Sequence, residues 1–351
     1  MLKSVSLQNF RSYKKTTFEF DFSNIVIGPN TAGKSNLIES IFLLSTGKSF
    51  RAEKDLQMVH FGQELGRARG KVDDLDLEVM VTVGEVAGVR SQFKRFFVNG
   101  VAKRRADFVG NLPSVLFSPQ DLEIIIGSPG LRREFLDNVL EQTDRDYRLA
   151  LLGFTKSLRQ RNALLDLVKN GLPRSESQFD YWDTLVIRNG SVLTRKREEF
   201  IAWLNQAKKD ILNVTIDYDK SVISKERLAQ YYEAEGATGV TLVGPHRDDF
   251  FLFIDNEKQL KSFGSRGQQR LGVLQLKILE LEYLRQKTEK EPLLLLDDVF
   301  SELDENHINL ILDKTHGQQT IITTTHEEFI PAKVKKGMKM IELGGKNGKT
   351  S

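Results

Sequence analysis

The chain has 351 residues, 40% hydrophobic and 28% charged, which suits a soluble globular protein of two or three domains with ample core. Net charge is only +3, so the sum neither demands nor excludes a polyanionic partner. There are no cysteines, which excludes a disulfide framework, cysteine-ligated zinc and a thiol nucleophile. Residues 1–7 lack the continuous apolar run of a secretory signal, and no apolar run approaches a membrane span, so a cytoplasmic protein without membrane contact is expected.

Residues 1–22 read as strands, with Val5 and Leu7 alternating, then Phe18, Phe20 and Phe22. Asn9-Phe10-Arg11-Ser12-Tyr13 is the polar turn between them. Ile25-Val26-Ile27 is a short β-branched strand, and Leu37, Ile38, Ile41, Phe42 and Leu44 have helical spacing. Residues 65–101 read as antiparallel strands, including Leu75, Leu77, Val79, Val81 and Val83 and an Asn99-Gly100 hairpin signal. Val115-Leu116-Phe117 is another short strand.

From 131 to 213 the period becomes helical. Leu131, Phe135, Leu136, Val139 and Leu140 mark one helix, and 151–167 a second that stops at Gly171-Leu172-Pro173. A third helical region covers about 177–212, with a bend expected at Asn189-Gly190. After 213 strands return at Val214, Ile216 and Tyr218, at 240–243 and at 250–254, with a short helix near 226–235. The segment 255–258 reads as a turn, 268–285 as an apolar helix, and 293–296 and Ile321-Ile322 as buried strands. The expected architecture is α/β: a split head, 1–120 and 214–351, interrupted by a helical insertion at 121–213.

Between strand 25–27 and the helix that follows lies Gly28-Pro29-Asn30-Thr31-Ala32-Gly33-Lys34-Ser35, which fits G-x-x-x-x-G-K-[ST] at every fixed position. Backbone N–H groups of such a loop and its helix N-terminus cradle phosphates. Lys34 would reach the β/γ-phosphates and Ser35 would ligate Mg²⁺. Leu293-Leu294-Leu295-Leu296-Asp297-Asp298 reads as a buried strand ending in two acids. Alone it is equally an acidic strand-to-helix turn. Beside the phosphate loop, Asp297 is the expected Mg²⁺ partner and Asp298 the residue that polarises water.

Phe263-Gly264-Ser265-Arg266-Gly267-Gln268 offers a second anion-binding helix start, where Ser265 can cap the helix and Gly267 leaves its N–H exposed. One phosphate-loop site rarely needs two cradles, so the second is read as serving nucleotide on another protomer. An ordinary capped helix is the plainer alternative. Asp304 and His326 follow the two buried strands, and a lone exposed histidine is more often a bystander.

In this order the motifs resemble the ABC-type P-loop ATPase heads of the SMC family, and within it the RecF family of bacterial recombinational repair. The narrower resemblance rests on Leu7-Gln8-Asn9-Phe10-Arg11-Ser12-Tyr13, Phe117-Ser118-Pro119-Gln120-Asp121-Leu122, Gly127-Ser128-Pro129-Gly130-Leu131-Arg132-Arg133, Gln160-Arg161-Asn162 and Gly244-Pro245-His246-Arg247-Asp248-Asp249. It implies an ABC/SMC-type head with an inserted helical arm. It also implies ATP and Mg²⁺ at 28–35, Asp297 as metal ligand and Asp298 as catalytic acid, with Lys34 on the phosphates. Ser265, Gly267 and Gln268 would bind the partner subunit's ATP, so that ATP drives a head-to-head homodimer with Asp304 at its interface. Arg11 and Gln120 would lie near the nucleotide, and His326 is similar to the switch histidine.

The family further implies duplex DNA near single-strand gaps, with RecR and RecO assisting loading of RecA. Asp298 stands where ABC transporters use glutamate, and the shorter acid implies slow hydrolysis; the expected activity is a weak, DNA-stimulated ATPase used as a switch. Basic residues at Lys94-Arg95, Lys103-Arg104-Arg105, Arg132-Arg133, Lys156, Arg159, Arg161 and Arg195-Lys196-Arg197 are the DNA-contact candidates, though each run alone reads as a solvated face. The alternative is an ATP-switched structural module that does not bind DNA. A transporter ATPase is disfavoured by the helical insertion and by the strand pattern at 65–101. A GTPase is disfavoured by the lack of Asn-Lys-x-Asp. A kinase catalytic loop at His246-Arg247-Asp248 is discarded because Phe253 stands where asparagine is needed.

Overall fold

The structure is a computed structural model that describes residues 1–299, 317–325, 328, 335 and 337–344. Two compact units form, Met1–Asp121 with Glu280–Ser351, and Leu122–Leu279. Residues 214–279, grouped with the head by their strand pattern, pack in the second unit.

The first unit opens with β1 (Leu2–Phe10), β2 (Tyr13–Glu19), β3 (Ser23–Ile27) and α1 (Lys34–Thr46). Then come β4 (Leu65–Val72), β5 (Leu75–Thr82), the small hairpin of β6 (Glu85–Val86) and β7 (Val89–Arg90), β8 (Lys94–Val98), β9 (Val101–Lys103), the one-turn α2 (Arg105–Phe108) and β10 (Ser114–Phe117). Strands β2-β1-β4-β5-β8-β9 make an antiparallel sheet. Its inner face follows from period-2 alternation: Val5 and Leu7, then Ala68 and Val72, then Leu77, Val79 and Val81 are buried. Small residues let α1 approach that face. A Cβ on Gly70 would stand 2.9 Å from Leu44 Cδ1. The Asn99-Gly100 turn has positive φ at both residues, as a two-residue hairpin joining β8 to β9 requires. Phe22 lies beyond β2 and is exposed, so its alternation with Phe18 and Phe20 does not extend the strand.

The second unit holds α3 (Glu123–Ile126), α4 (Pro129–Thr143), α5 (Arg145–Lys169), α6 (Glu176–Gln206), β11 (Val214–Asp219), α7 (Lys225–Gln230), α8 (Tyr232–Thr238), β12 (Asp249–Ile254), β13 (Lys258–Gln259), α9 (Leu260–Phe263) and the start of α10 (Arg266–Thr288). Asp144 caps α5 by accepting from the Asp146 and Tyr147 amides. Helix α6 runs unbroken through Asn189-Gly190. Gly190 instead makes room for a neighbour: a Cβ there would lie 2.6 Å from Ile223 Cγ2. Residues 240–243 form no strand. The Thr241 amide donates to Asn162 Oδ1, and its carbonyl accepts from Arg247 and contacts His246 Nε2, so side chains replace a ladder.

The first unit is completed by β14 (Leu293–Asp297), β15 (Thr320–Thr324) and β16 (Lys339–Glu342). With β10 and β3 they form a five-stranded sheet, order β10-β14-β15-β3-β16, with every neighbouring pair parallel. Its carboxyl edge gathers the ends of β3, β10, β14 and β15, where open parallel sheets bind ligands. The apolar runs of β14 and β3 fit a sheet covered on both faces. No described helix is long and apolar enough to cross a membrane.

Candidate functional site

The loop 28–35 leaves β3 at that carboxyl edge and turns into α1. Gly33 has φ 97°, a left-handed conformation that glycine enters without a Cβ clash. Gly28 passes so close to the chain that a Cβ would lie 2.6 Å from the Leu343 carbonyl oxygen. Lys34 is buried, and its ammonium donates to the Gly28 carbonyl at 2.6 Å and the Pro29 carbonyl at 3.1 Å. Burial pushes its pKa below the ordinary lysine value, and the charges of Asp298 and Asp297 partly oppose that. Pro29, Asn30 and Thr31 are exposed, Ala32 is half-buried, and the Ala32 amide closes a turn on the Pro29 carbonyl.

The acids at the end of β14 meet this loop. Ser35 Oγ donates to Asp297 Oδ1 at 3.2 Å, and Thr323 Oγ1 donates to the same oxygen at 2.7 Å. Asp298 has φ 55°, unusual for a non-glycine residue. Its amide donates to Thr323 Oγ1 at 3.0 Å. A serine hydroxyl beside an aspartate carboxylate is the hard oxygen donor set that suits Mg²⁺.

A second set of contacts fastens the β1–β2 turn to α1. Tyr13 Oη donates to the Gly33 carbonyl at 3.0 Å, Asn36 Nδ2 donates to Ser12 Oγ at 2.9 Å, and Arg11 forms a bidentate pair with Glu39. Arg11 Nη1 also donates to the Gln57 carbonyl. The guanidinium expected near nucleotide is therefore held first by the helix that follows the loop. Glu39 and Thr323 are the residues sequence reasoning missed. The trace of Glu39 was an acid inside an apolar helical run.

Gln120 is exposed, just past the carboxyl end of β10. In the second unit Ser265, Gly267 and Gln268 are exposed at the start of α10. Ser265 Oγ accepts from the Gln268 amide and Gln268 Oε1 from the Ser265 amide, a reciprocal capping box. Asp304 and His326 lie outside the described residues.

Several motif residues are structural. Arg132 pairs with Asp249 through both carboxylate oxygens, and Arg197 reaches Asp248, Asp137, the Pro245 carbonyl and Tyr147. Arg161 holds Asp183, Thr241 and Glu235. All three arginines are buried, so they leave the set of DNA-contact candidates. Asp248 is fully buried in its ion pair and Asp249 nearly so, which also removes any catalytic-loop role for them. Lys94 pairs with Asp55 and Lys196 with Asp144, and Arg105 donates to the Thr46 carbonyl. Arg95, Lys103, Arg104, Lys156, Arg159 and Arg195 remain exposed.

The model of the RecF/RecN/SMC N terminal domain matches residues 1–347. The DNA replication and repair protein RecF of Lachnoclostridium phytofermentans is 36% identical over 356 residues, covering 95% of this chain and 96% of its own. Its counterpart in an Exiguobacterium species is 37% identical over 368 residues, with coverage of 95% and 96%. A solved structure of the recombination mediator protein RecF with ATP, of the RecFOR pathway, superposes with a TM-score of 0.85 at 33% identity, covering 94% of this chain and 93% of that one.

Proposed function

This chain belongs to the RecF/RecN/SMC N terminal domain family, among its RecF members, and we propose that it is an ATP-switched, DNA-binding protein of DNA replication and recombinational repair. The observation that carries the reading is the contact between Ser35 and Asp297, 262 positions apart, at the carboxyl edge of a parallel sheet. It joins a phosphate loop to an acid in the arrangement that Mg-nucleotide needs.

In this reading loop 28–35 cradles the phosphates and Lys34 exchanges two loop carbonyls for phosphate oxygens. Ser35 and Asp297 hold Mg²⁺, which neutralises phosphate charge when bound. Asp298 orients the attacking water, and its short side chain keeps turnover below roughly 10 s⁻¹. Arg11, anchored by Glu39, braces the loop from the β1–β2 turn, and Gln120 borders the site from the end of β10. Ser265, Gly267 and Gln268 engage nucleotide on a second copy of the chain, with Asp304 at the same interface and His326 on the γ-phosphate. ATP then closes a homodimer on duplex DNA near gaps, and slow hydrolysis opens it in the cytoplasm. RecR and RecO are the proposed helpers and RecA the recombinase to be loaded, as the solved relative's place in the RecFOR pathway suggests.

DNA contact falls to Arg95, Lys103, Arg104, Lys156, Arg159 and Arg195, and goes mainly to phosphates. A gel shift on gapped duplex, with and without ATP, tests this. ATP-dependent retention that weakens steeply between about 50 and 200 mM salt supports it. ATP-dependent dimerisation with no DNA retention at low salt sinks the DNA part. That result would leave the ATP-switched structural module, which the burial of Arg132, Arg161 and Arg197 favours.

A further inference from the structure

Strand β15 is buried at every position, yet three of its five residues are threonines. A hydroxyl with no access to water needs a protein partner. Thr323, with no exposed surface, uses its hydroxyl twice: it donates to Asp297 Oδ1 at 2.7 Å and accepts from the Asp298 amide at 3.0 Å. The Leu296 carbonyl, at 3.5 Å, is too distant to compete for the single proton. The placement follows from register, since Thr323 is the cross-strand partner of Asp297 in the parallel pair β14–β15.

The two contacts fix different things. The donated bond selects one orientation of the Asp297 carboxylate, on the oxygen that Ser35 also reaches. The accepted bond, beside a longer one from the same amide to the Thr323 main-chain carbonyl at 3.3 Å, holds Asp298, whose φ of 55° is a strained conformation for a non-glycine residue. A β-branched threonine is stiff at χ1, so the hydroxyl itself is held in direction. Valine matches the shape without the donor, and serine keeps the donor without the second branch.

We infer that Thr323 is the positioning residue of the acid pair: it aims Asp297 at the metal position and holds Asp298 in its left-handed conformation, without touching nucleotide. This rests on the reading of 28–35, Asp297 and Asp298 as an ATP site.

The test uses the full-length protein as wild type, Thr323→Val, Thr323→Ser and Asp298→Asn. Steady-state ATP hydrolysis is measured across a Mg²⁺ titration, alongside equilibrium binding of a fluorescent ATP analogue in EDTA and thermal melting. Thr323→Val should lower kcat by about tenfold to a hundredfold and raise the Mg²⁺ needed for half-maximal rate, as loss of a partner behind a metal ligand does. Binding in EDTA should stay within about threefold of wild type, and Thr323→Ser should recover most of kcat. A merely structural role would shift melting and leave kcat and the Mg²⁺ requirement alone, which overturns the inference. Should the valine protein not fold, Thr323→Ala carries the same expectation, and full activity in it overturns the inference equally. A dead Asp298→Asn beside a normal Thr323→Val removes only the positioning role. A wild type that neither binds nor hydrolyses ATP removes the ATP-site reading and this inference together.

Discussion

Arg11 and Glu39 form a two-point ion pair, Nε to Oε2 at 2.8 Å and Nη2 to Oε1 at 2.7 Å, with Glu39 completely buried in α1. Ser49 Oγ donates to the same carboxylate, so one acid ties the β1–β2 turn, the helix and the segment after it. Consecutive residues of the turn meet the helix start at Gly33, Asn36 and Glu39, three residues apart and so on one helical face. The turn bears backbone strain as well, since Asn9 and Arg11 both have positive φ.

Removing one partner of such a pair strands the other. Arg11→Ala should lower unfolding free energy by about 3–5 kcal/mol, because the Glu39 carboxylate stays buried without its cation. The double replacement Arg11→Met with Glu39→Met should recover much of the loss. Urea unfolding of the single and double variants measures both. A loss under about 1 kcal/mol for Arg11→Ala would show that the pair does not hold the turn.

Lys34 and Asp297 should separate when nucleotide binding is split by metal. Lys34→Ala removes a charged donor and should weaken ATP binding by about tenfold or more with or without Mg²⁺. Asp297→Asn should leave binding in EDTA near wild type and abolish the gain that Mg²⁺ gives. Isothermal titration with ATP, in EDTA and then in Mg²⁺, reads both effects. Equal losses in the two conditions for Asp297→Asn would argue against its role as metal ligand.

The phosphate loop was legible because its residues are contiguous and its geometry local. Leu293 to Asp298 was legible for a related reason: an unbroken apolar run ending in acids describes one buried strand. Long-range pairing was not. Arg132, Arg161 and Arg197 sit in runs of positive charge that read as solvated faces, and their partners Asp249, Asp183 and Asp248 lie far along the sequence. Burial of a charge is set by what the fold brings to it, and composition carries no trace of that. Thr323 was hidden in the same way. A threonine run is visible, but which hydroxyl meets the acids depends on the register of β15 against β14. Strand β16 was missed because it alternates half-buried and exposed positions with little apolar contrast.

Ser265 separates two readings of one helix start. As a cap alone it stabilises α10 by about 1 kcal/mol, and Ser265→Ala should cost that much in urea unfolding. As part of a second nucleotide cradle it decides assembly. Ser265→Arg should then abolish the ATP-dependent increase in mass seen by light scattering, while the monomer still binds ATP within about threefold of wild type. ATP-driven dimerisation of Ser265→Arg at wild-type concentration would rule out the shared-site reading.

His246 supplies a dependence on pH in the second unit. Its Nε2 contacts the Thr241 carbonyl at 3.0 Å and its ring lies 5.9 Å from that of Phe154. Burial pushes its pKa down to about 4, and the positive charges of Arg247, Arg133 and Arg161 act in the same direction, against the bond to Thr241. A histidine kept neutral in the fold takes up its proton first in the unfolded chain. Its contribution is therefore fully present above the unfolded value of about 6.5 and is lost as pH falls toward the folded value. Between pH 7.5 and 5.0 wild type should lose about 1–2 kcal/mol more than His246→Gln, after allowance for partial exposure of the ring. Glutamine can place its amide nitrogen near the carbonyl of Thr241 and does not titrate, so carboxylates elsewhere contribute equally to both proteins. Urea unfolding of the two proteins at each pH gives the difference. Parallel losses in wild type and His246→Gln would mean that this imidazole is already protonated in the fold at pH 5.0.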